Sequence, residues 1–375
     1  MNAIKNSYVH GVSEMPLRGQ TIGACFDETA TRHASHDALV VVHQDVRWSY
    51  AELKQKVDAW AAGFVALGLK PGERVGILAP NCWEWIVTQF ATAKAGLILV
   101  NINPAYRQAE LRYALEKVRC AALITAPSHK TSDYIKMLQD LLPGVGAAQP
   151  GHAFDEKLPD LRWLISLGDR EEPGFVSFGS LPDRAGASDQ QRLVDLQAEL
   201  QFDDPINIQF TSGTTGSPKA TTLTHHNIVN NAYFSGLQMG LGPKDRMCIP
   251  VPMYHCFGMV LGTLCCVVHG SAMVLPSASF DPREVLRACA HERCTALHGV
   301  PTMFIAELDQ PDAASYDLSS LRTGIMAGAP CPVELMKRVM NEMNLREITI
   351  AYGMTETGPV SFQTSMDDPV ERRVT

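Results

Sequence analysis

Short apolar runs alternate with stretches of helical period twice along this chain, and such alternation confines it to parallel strands joined by helical crossovers. In the first run, Ser49 and Glu52 have the spacing of a capping box, and Leu53, Val57, Trp60, Ala61 and Phe64 recur on one helical face. Gly68 and Pro71-Gly72 end that helix. A strand 74–79, an apolar helix 82–95, a strand 97–101, a helix carrying Leu111, Leu115 and Val118, and a strand 120–125 follow. The second run has strand 246–250, helix 257–268, strand 272–275, a helix opened by Asp281-Pro282, and strand 294–298. The runs also agree in letters: Arg119-Cys120-Ala121-Ala122-Leu123 matches Arg293-Cys294-Thr295-Ala296-Leu297, with Arg74 standing 45 positions before Arg119 and Arg246 standing 47 before Arg293. Two α/β units built on one plan are predicted, with chance likeness of short apolar strings as the competing explanation. Beyond Leu321 the pattern resumes with strand 323–326, helix 332–341 and strand 347–351.

A chain of 375 residues exceeds one ordinary core, so subdomains are expected: a lead-in over 1–48, a first α/β unit over 49–200, and a second over 201–375. Residues 143–190 are rich in Gly, Pro, Asp and Ser around one strand candidate at 163–167, which reads as a loop-rich connection. The net charge of -8 speaks against nucleic acid as a partner, because phosphate backbones call for a basic face. No secretory signal opens the chain, and the longest nearly uncharged stretch, 256–268, is too short for a transmembrane segment. The ten cysteines show no C-x-x-C spacing and most lie in apolar runs; they read as small buried hydrophobes of a reducing cytoplasm, with zinc not expected. The sequence leaves open whether the chain forms a homo-oligomer.

Chemistry concentrates first in Phe210-Thr211-Ser212-Gly213-Thr214-Thr215-Gly216-Ser217-Pro218-Lys219, between two strand-like runs. The loop has no apolar anchor for packing. Glycines let backbone N–H groups turn toward a phosphate, hydroxyls add donors, and Lys219 adds a point charge. It is not the P-loop of nucleotide triphosphatases, since Pro218 separates Gly216 from Lys219 and disfavours helix before it. The plain alternative is a polar Thr/Ser/Gly hairpin. A second candidate, Tyr352-Gly353-Met354-Thr355-Glu356-Thr357-Gly358, directly follows a strand, where ligands of open parallel sheets collect. Its aromatic, hydroxyl and carboxylate suit a base, a phosphate and Mg2+; a surface turn is the alternative.

The first loop resembles the signature loop of the adenylate-forming enzymes, which include acyl-CoA synthetases, luciferases and peptide-synthetase adenylation domains, and the second segment resembles that family's other hallmark. One departure is Ala220, where most members have Gly. The resemblance implies the family's N-terminal domain, incomplete: two related α/β subdomains with mostly parallel sheets flanked by helices. It implies that Thr211 to Gly216 and Lys219 hold the β- and γ-phosphates of ATP, that Thr355 contacts the α-phosphate, and that Glu356 coordinates Mg2+. Gly328-Ala329-Pro330 is similar to the segment lying along adenine, together with Tyr352 and Gly353. Pro252-Met253-Tyr254-His255-Cys256-Phe257-Gly258 and Gly299-Val300-Pro301-Thr302 resemble pocket-lining motifs, with His255 near the substrate carboxylate. Without the resemblance, His255 reads more readily as a capping or packing residue.

The activity so implied is ATP-dependent conversion of a carboxylic acid to acyl-adenylate and then, with CoA as co-substrate, to a thioester. Asn81 and the Asn101-Ile102-Asn103-Pro104 turn resemble fatty-acyl-CoA synthetases most closely, and the apolar residues around Gly299 to Thr302, including Met303, favour a hydrophobic tail, that of a medium or long fatty acid. Family members continue through a ribose-binding Thr-Gly-Asp segment, a hinge and a C-terminal lid domain with a closing lysine; none is found between Gly358 and Thr375, so a fragment of depressed activity is expected. Two other readings stand beside this one: a non-catalytic module holding ATP or acyl-adenylate, and an adenylation domain loading a carrier protein.

Overall fold

The computed structural model describes residues 15–147, 149–152, 154–211 and 217–374. Two sheets organise them. One runs, edge to edge, Lys219–Thr224, Pro205–Thr211, Ile98–Asn101, Arg74–Leu78, Cys120–Thr125, Trp163–Ser166 and Val176–Ser177. The other runs Val360–Gln363, Glu347–Gly353, Thr323–Ala327, Ala296–Gly299, Arg246–Cys248, Ala272–Leu275, Asp37–Val41 and Val46–Ser49. Within each, neighbouring strands are parallel except in three edge pairs: 205–211 with 219–224, 347–353 with 360–363, and 37–41 with 46–49. The α/β expectation, with mostly parallel sheets flanked by helices, matches this arrangement.

The two units repeat one local device. In each, the first strand lies between the second and third: Arg74–Leu78 between Ile98–Asn101 and Cys120–Thr125, and Arg246–Cys248 between Ala272–Leu275 and Ala296–Gly299. Arg74 Nε donates to Val118 O at 2.6 Å, and Arg246 Nε donates to Glu292 O at 2.8 Å. These arginines take up carbonyls at the end of the helix that precedes the third strand. There the chain turns through a left-handed residue, Arg119 (φ 53°) in one unit and Arg293 (φ 49°) in the other. A strained conformation repeated at matching letters is hard to attribute to chance.

The chain divides differently from the expected cuts. The stretch read as a lead-in forms a helix, Ile22–Arg32, whose first turn is capped by the Thr21 hydroxyl, and then the strands Asp37–Val41 and Val46–Ser49. Asp37–Val41 pairs in parallel with Ala272–Leu275 and so extends the second sheet, because its apolar side chains have a buried place there. Conversely, the hairpin 205–224 belongs to the first sheet, not to the unit begun at 201: its first strand lies parallel to Ile98–Asn101, and Asn207 Nδ2 donates to Leu99 O and Asn101 Oδ1, both at 2.9 Å. The connection over 143–190 carries the expected strand, at Trp163–Ser166, and leads into a helix, Ala187–Glu199, that sequence reading did not assign.

Between the sheets lies a nearly dry helical layer. From Trp85 to Lys94 every residue of the Trp83–Lys94 helix is buried. Gln89 accepts from the Thr263 hydroxyl at 2.7 Å and donates to Met259 O, which ties that helix to Phe257–Leu264, a π-helical segment continued as the α-helix Cys265–His269. Satisfied buried amides of this kind fix register between otherwise apolar helices. Lys94 ends the buried helix with its ammonium paired to Asp27 at 2.7 Å and to Asp58, as a buried cation requires. The layer holds the two sheets at a fixed spacing, so the carboxyl ends of Pro205–Thr211 and Glu347–Gly353 open on one side.

Candidate active site

Each half delivers one edge of a cleft of about 540 Å³. From the first sheet, the strand Pro205–Thr211 ends at Thr211, and its hairpin partner returns at Lys219, whose Cα pairs with that of Thr211. Ser212, Gly213, Thr214, Thr215 and Gly216 lie outside the described residues. Tyr113 OH donates to Pro218 O at 3.0 Å and holds the returning arm. From the second sheet, Glu347–Gly353 presents Tyr352 and Gly353, and a single 3-10 turn, Thr355–Thr357, follows. Gly353 has a steric reason: a Cβ there would stand 1.9 Å from Pro359 O, so only glycine lets this strand bend so tightly.

The motifs meet. Thr211 Oγ1 donates to Glu356 Oε1 at 3.5 Å, a long contact between two partly or fully exposed side chains. Thr355 is 8% exposed, with its hydroxyl 3.8 Å from Cys256 Sγ. Tyr352, by contrast, is 72% exposed, its ring tilted against Phe362 at 6.4 Å between centroids. His255 opens onto the same cleft. Its Nδ1 accepts from Phe257 N at 3.1 Å, which leaves Nε2 as the N–H that can reach a ligand. Desolvation by the surrounding walls lowers its pKa, favouring the neutral ring.

Of the residues singled out from sequence, Thr211, His255, Phe257, Gly328, Tyr352, Gly353, Thr355 and Glu356 line this one cleft. Ala329 and Pro330 line an adjoining hollow of about 830 Å³ that shares Gly328, Tyr352 and Gly353 with it and is closed by Phe362 and Arg372. Lys219 is exposed and lines neither; it stands at the rim, across the hairpin from Thr211. Gly258, Gly299, Val300 and Pro301 also line neither. Gly258 lets its helix approach Pro252, where a Cβ would come within 2.4 Å of the carbonyl oxygen, and Val300 packs behind Gly328.

Two supports were not anticipated. Asn231, on the helix His225–Gln238, donates to Val360 O at 2.9 Å and accepts from Val360 N at 3.0 Å, so one amide clamps the strand that follows the Thr355–Thr357 turn. The signal for it was present: Asn227 and Asn231 stand one turn apart, an arrangement that stacks them on one helical face. Asn81 is the second. Buried, it donates to Val251 O at 3.0 Å and accepts from Met253 N at 2.9 Å, tying the first half to the segment that carries His255.

Comparison with known proteins gives these features a context. The sequence matches the family described as AMP-binding enzyme over residues 26–375. Medium-chain acyl-CoA ligase ACSF2, mitochondrial, of Danio rerio is 46% identical over 373 residues, covering 99% of this chain and 61% of that protein. Its Homo sapiens counterpart is 44% identical over 374 residues, covering 98% and 60%. Putative acyl-CoA synthetase YngI of Bacillus subtilis (strain 168) is 45% identical over 354 residues, covering 94% and 64%. This chain therefore spans about 60% of the length of the ACSF2 relatives. Among solved structures, the anthranilate CoA ligase AuaEII in complex with anthranoyl-AMP superposes with a TM-score of 0.81 at 22% identity, over 95% of this chain and 64% of that one. The inhibitor-bound N-terminal domain of FACL13 from Mycobacterium tuberculosis gives 0.78 at 24%, over 94% and 81%. These two likenesses bear on the fold.

Proposed function

The chain belongs to the AMP-binding enzyme family, and from that premise we propose that its cleft joins the carboxylate of a fatty acid to the α-phosphate of ATP, the acyl-adenylate then passing to CoA. The observation that carries this reading is the approach of Thr211 to Glu356, which brings a hydroxyl-rich hairpin and a carboxylate turn to one opening.

The residues suit these ligands. Glu356, with the hydroxyl of Thr211 beside it and Thr355 lining the same cleft, offers the hard oxygen ligands that would hold Mg2+, and the ion would there neutralise charge on the phosphates. Tyr352 and the Gly328-Ala329-Pro330 stretch offer a flat face and a slot without bulk, which fits a purine ring. Lys219 and the loop 212–216 account for the remaining triphosphate charge. Two anions must meet for the first step, so donors matter most. His255 Nε2–H orients the acid carboxylate; one carboxylate oxygen attacks the α-phosphorus, and pyrophosphate leaves carrying the bridging oxygen. In the second step the CoA thiol attacks the acyl carbon and AMP departs. Phe257 and Leu261 supply an apolar wall for the chain of the acid.

A medium-chain acid is the substrate we favour, because the animal relatives at 44–46% identity are named medium-chain acyl-CoA ligases. The cytoplasmic placement expected from the cysteines stands as a proposal; those same relatives carry the word mitochondrial in their names. Among the described residues no helix is long and apolar enough to cross a membrane. The test is ATP–pyrophosphate exchange driven by octanoate. Exchange that needs octanoate and falls about 10²-fold in Glu356→Ala supports the proposal. Saturable ATP binding without exchange favours a binding module, and product formed on a carrier protein but not on CoA favours a carrier-loading domain.

A further inference from the structure

The second half of the core holds three thiols for which the cleft has no use. Cys248 ends the strand Arg246–Cys248, Cys289 lies on the helix Pro282–His291, and Cys294 sits between that helix and the strand Ala296–Gly299. All three are at 0% exposure, and their sulfur atoms lie within 4.8 Å of one another. No disulfide joins them. Apolar side chains such as Val274, Val285 and Leu297 belong to the same cluster.

One buried carboxyl of the same half is also unpartnered. Glu307, on the helix Pro301–Leu308, is 1% exposed, and neither of its carboxylate oxygens has a hydrogen-bond partner. It is not part of the three-sulfur set, whose ligand atoms lie within 4.8 Å of one another. A carboxyl group buried without a donor is costly unless it stays protonated or meets a cation. Zinc–sulfur bonds of about 2.3 Å place the sulfurs of a tetrahedral site roughly 3.8 Å apart, below the 4.8 Å within which all three lie here.

We propose that Cys248, Cys289 and Cys294, whose buried sulfurs converge, form a structural site for a thiophilic divalent cation of the zinc class. Loading releases the thiol protons to solvent, so affinity weakens as pH falls. The cation joins a strand, its covering helix and the turn into the next strand. It thereby stabilises the folded state only, and it takes no part in the chemistry of the cleft. Sequence spacing concealed the set because one ligand stands 41 positions before the next (Cys248 to Cys289).

The experiment refolds the full chain with zinc, removes loose metal by dialysis, and counts bound zinc by atomic emission. One zinc per chain is expected, with near-complete loss in Cys289→Ala and full retention in Cys120→Ala, whose thiol holds the matching position in the other unit. Should Cys289→Ala fail to fold, cadmium exchanged into the unaltered chain gives a thiolate-to-metal absorption band whose intensity reports three sulfurs. Absence of stoichiometric zinc, zinc retained in a folded Cys289→Ala, or a cadmium band of fewer than three thiolates overturns the proposal. So does a shortfall of two reactive thiols that only a reductant restores, which would mark a disulfide.

Discussion

Thr211 and Glu356 stand 145 positions apart in sequence and 3.5 Å apart across the cleft, the hydroxyl of one donating to the carboxylate of the other. A contact of that length is a weak hydrogen bond, so a ligand oxygen can replace it at little cost. What holds the two ends near each other is the packing beneath, and several predictions concern that packing.

Asn231 clamps Val360 through both atoms of its amide. Asn231→Ala leaves a backbone N–H and a carbonyl without that partner and should lower stability by about 1–3 kcal/mol in denaturant unfolding. Because the clamp sits just past the Thr355–Thr357 turn, MgATP affinity should fall as well. Unchanged affinity in a destabilised variant would limit Asn231 to a structural role.

Asn81 lies in the other half yet fixes the backbone on both sides of Pro252. Asn81→Ala should cost about 2–3 kcal/mol, since Val251 O and Met253 N lose a buried partner. The displaced segment carries His255, so KM for the acid is expected to rise more than KM for ATP in steady-state assays.

Gly353→Ala places a methyl group against a backbone oxygen, with no flexible side chain to give way. The strand end should shift, carrying Tyr352 and Glu356 with it. ATP binding is expected to weaken about tenfold or more while the far-UV circular dichroism stays that of the parent, because the edge lies outside both cores.

Burial drops the pKa of His298 from 6.5 to about 4, and the neutral ring is fixed by Nε2 donating to Leu261 O at 2.9 Å and Nδ1 accepting from Ile325 N at 3.2 Å. The folded pKa is depressed for a base, so the unfolded chain takes up the proton first. Stability from this group is therefore present above pH 6.5 and is lost as pH falls toward 4, by on the order of 3 kcal/mol in total. In His298→Gln, whose amide can both donate and accept, the difference in slope of stability against pH across that window should disappear.

The sequence disclosed most of the local architecture, since capping, period and punctuation act over a few residues. The Ser49–Glu52 capping box is present, with Ser49 N donating to Glu52 at 2.7 Å, and the strands Cys120–Thr125 and Ala272–Leu275 have the expected bounds. Sheet membership was not legible. Asp37–Val41 lies beside a strand more than 200 positions later, and Pro205–Thr211 returns to a strand about 100 earlier; nothing local records either neighbour. Motif chemistry singled out Thr211 and Glu356, which line one cleft, whereas His255, on the same cleft, was picked out by resemblance and not by its own chemistry. Residues that act by position, Asn81 and Asn231 among them, take their meaning from partners that sequence does not show.

The central claim is that the hairpin bearing Lys219 and the turn bearing Glu356 grip one triphosphate with its magnesium. A double-mutant cycle on MgATP binding by calorimetry, using Lys219→Ala, Glu356→Ala and the pair, tests it directly. The account predicts that each single change weakens binding and that the two are coupled by at least about 0.5 kcal/mol. Losses that add within about 0.3 kcal/mol, or an affinity indifferent to either change, would contradict it.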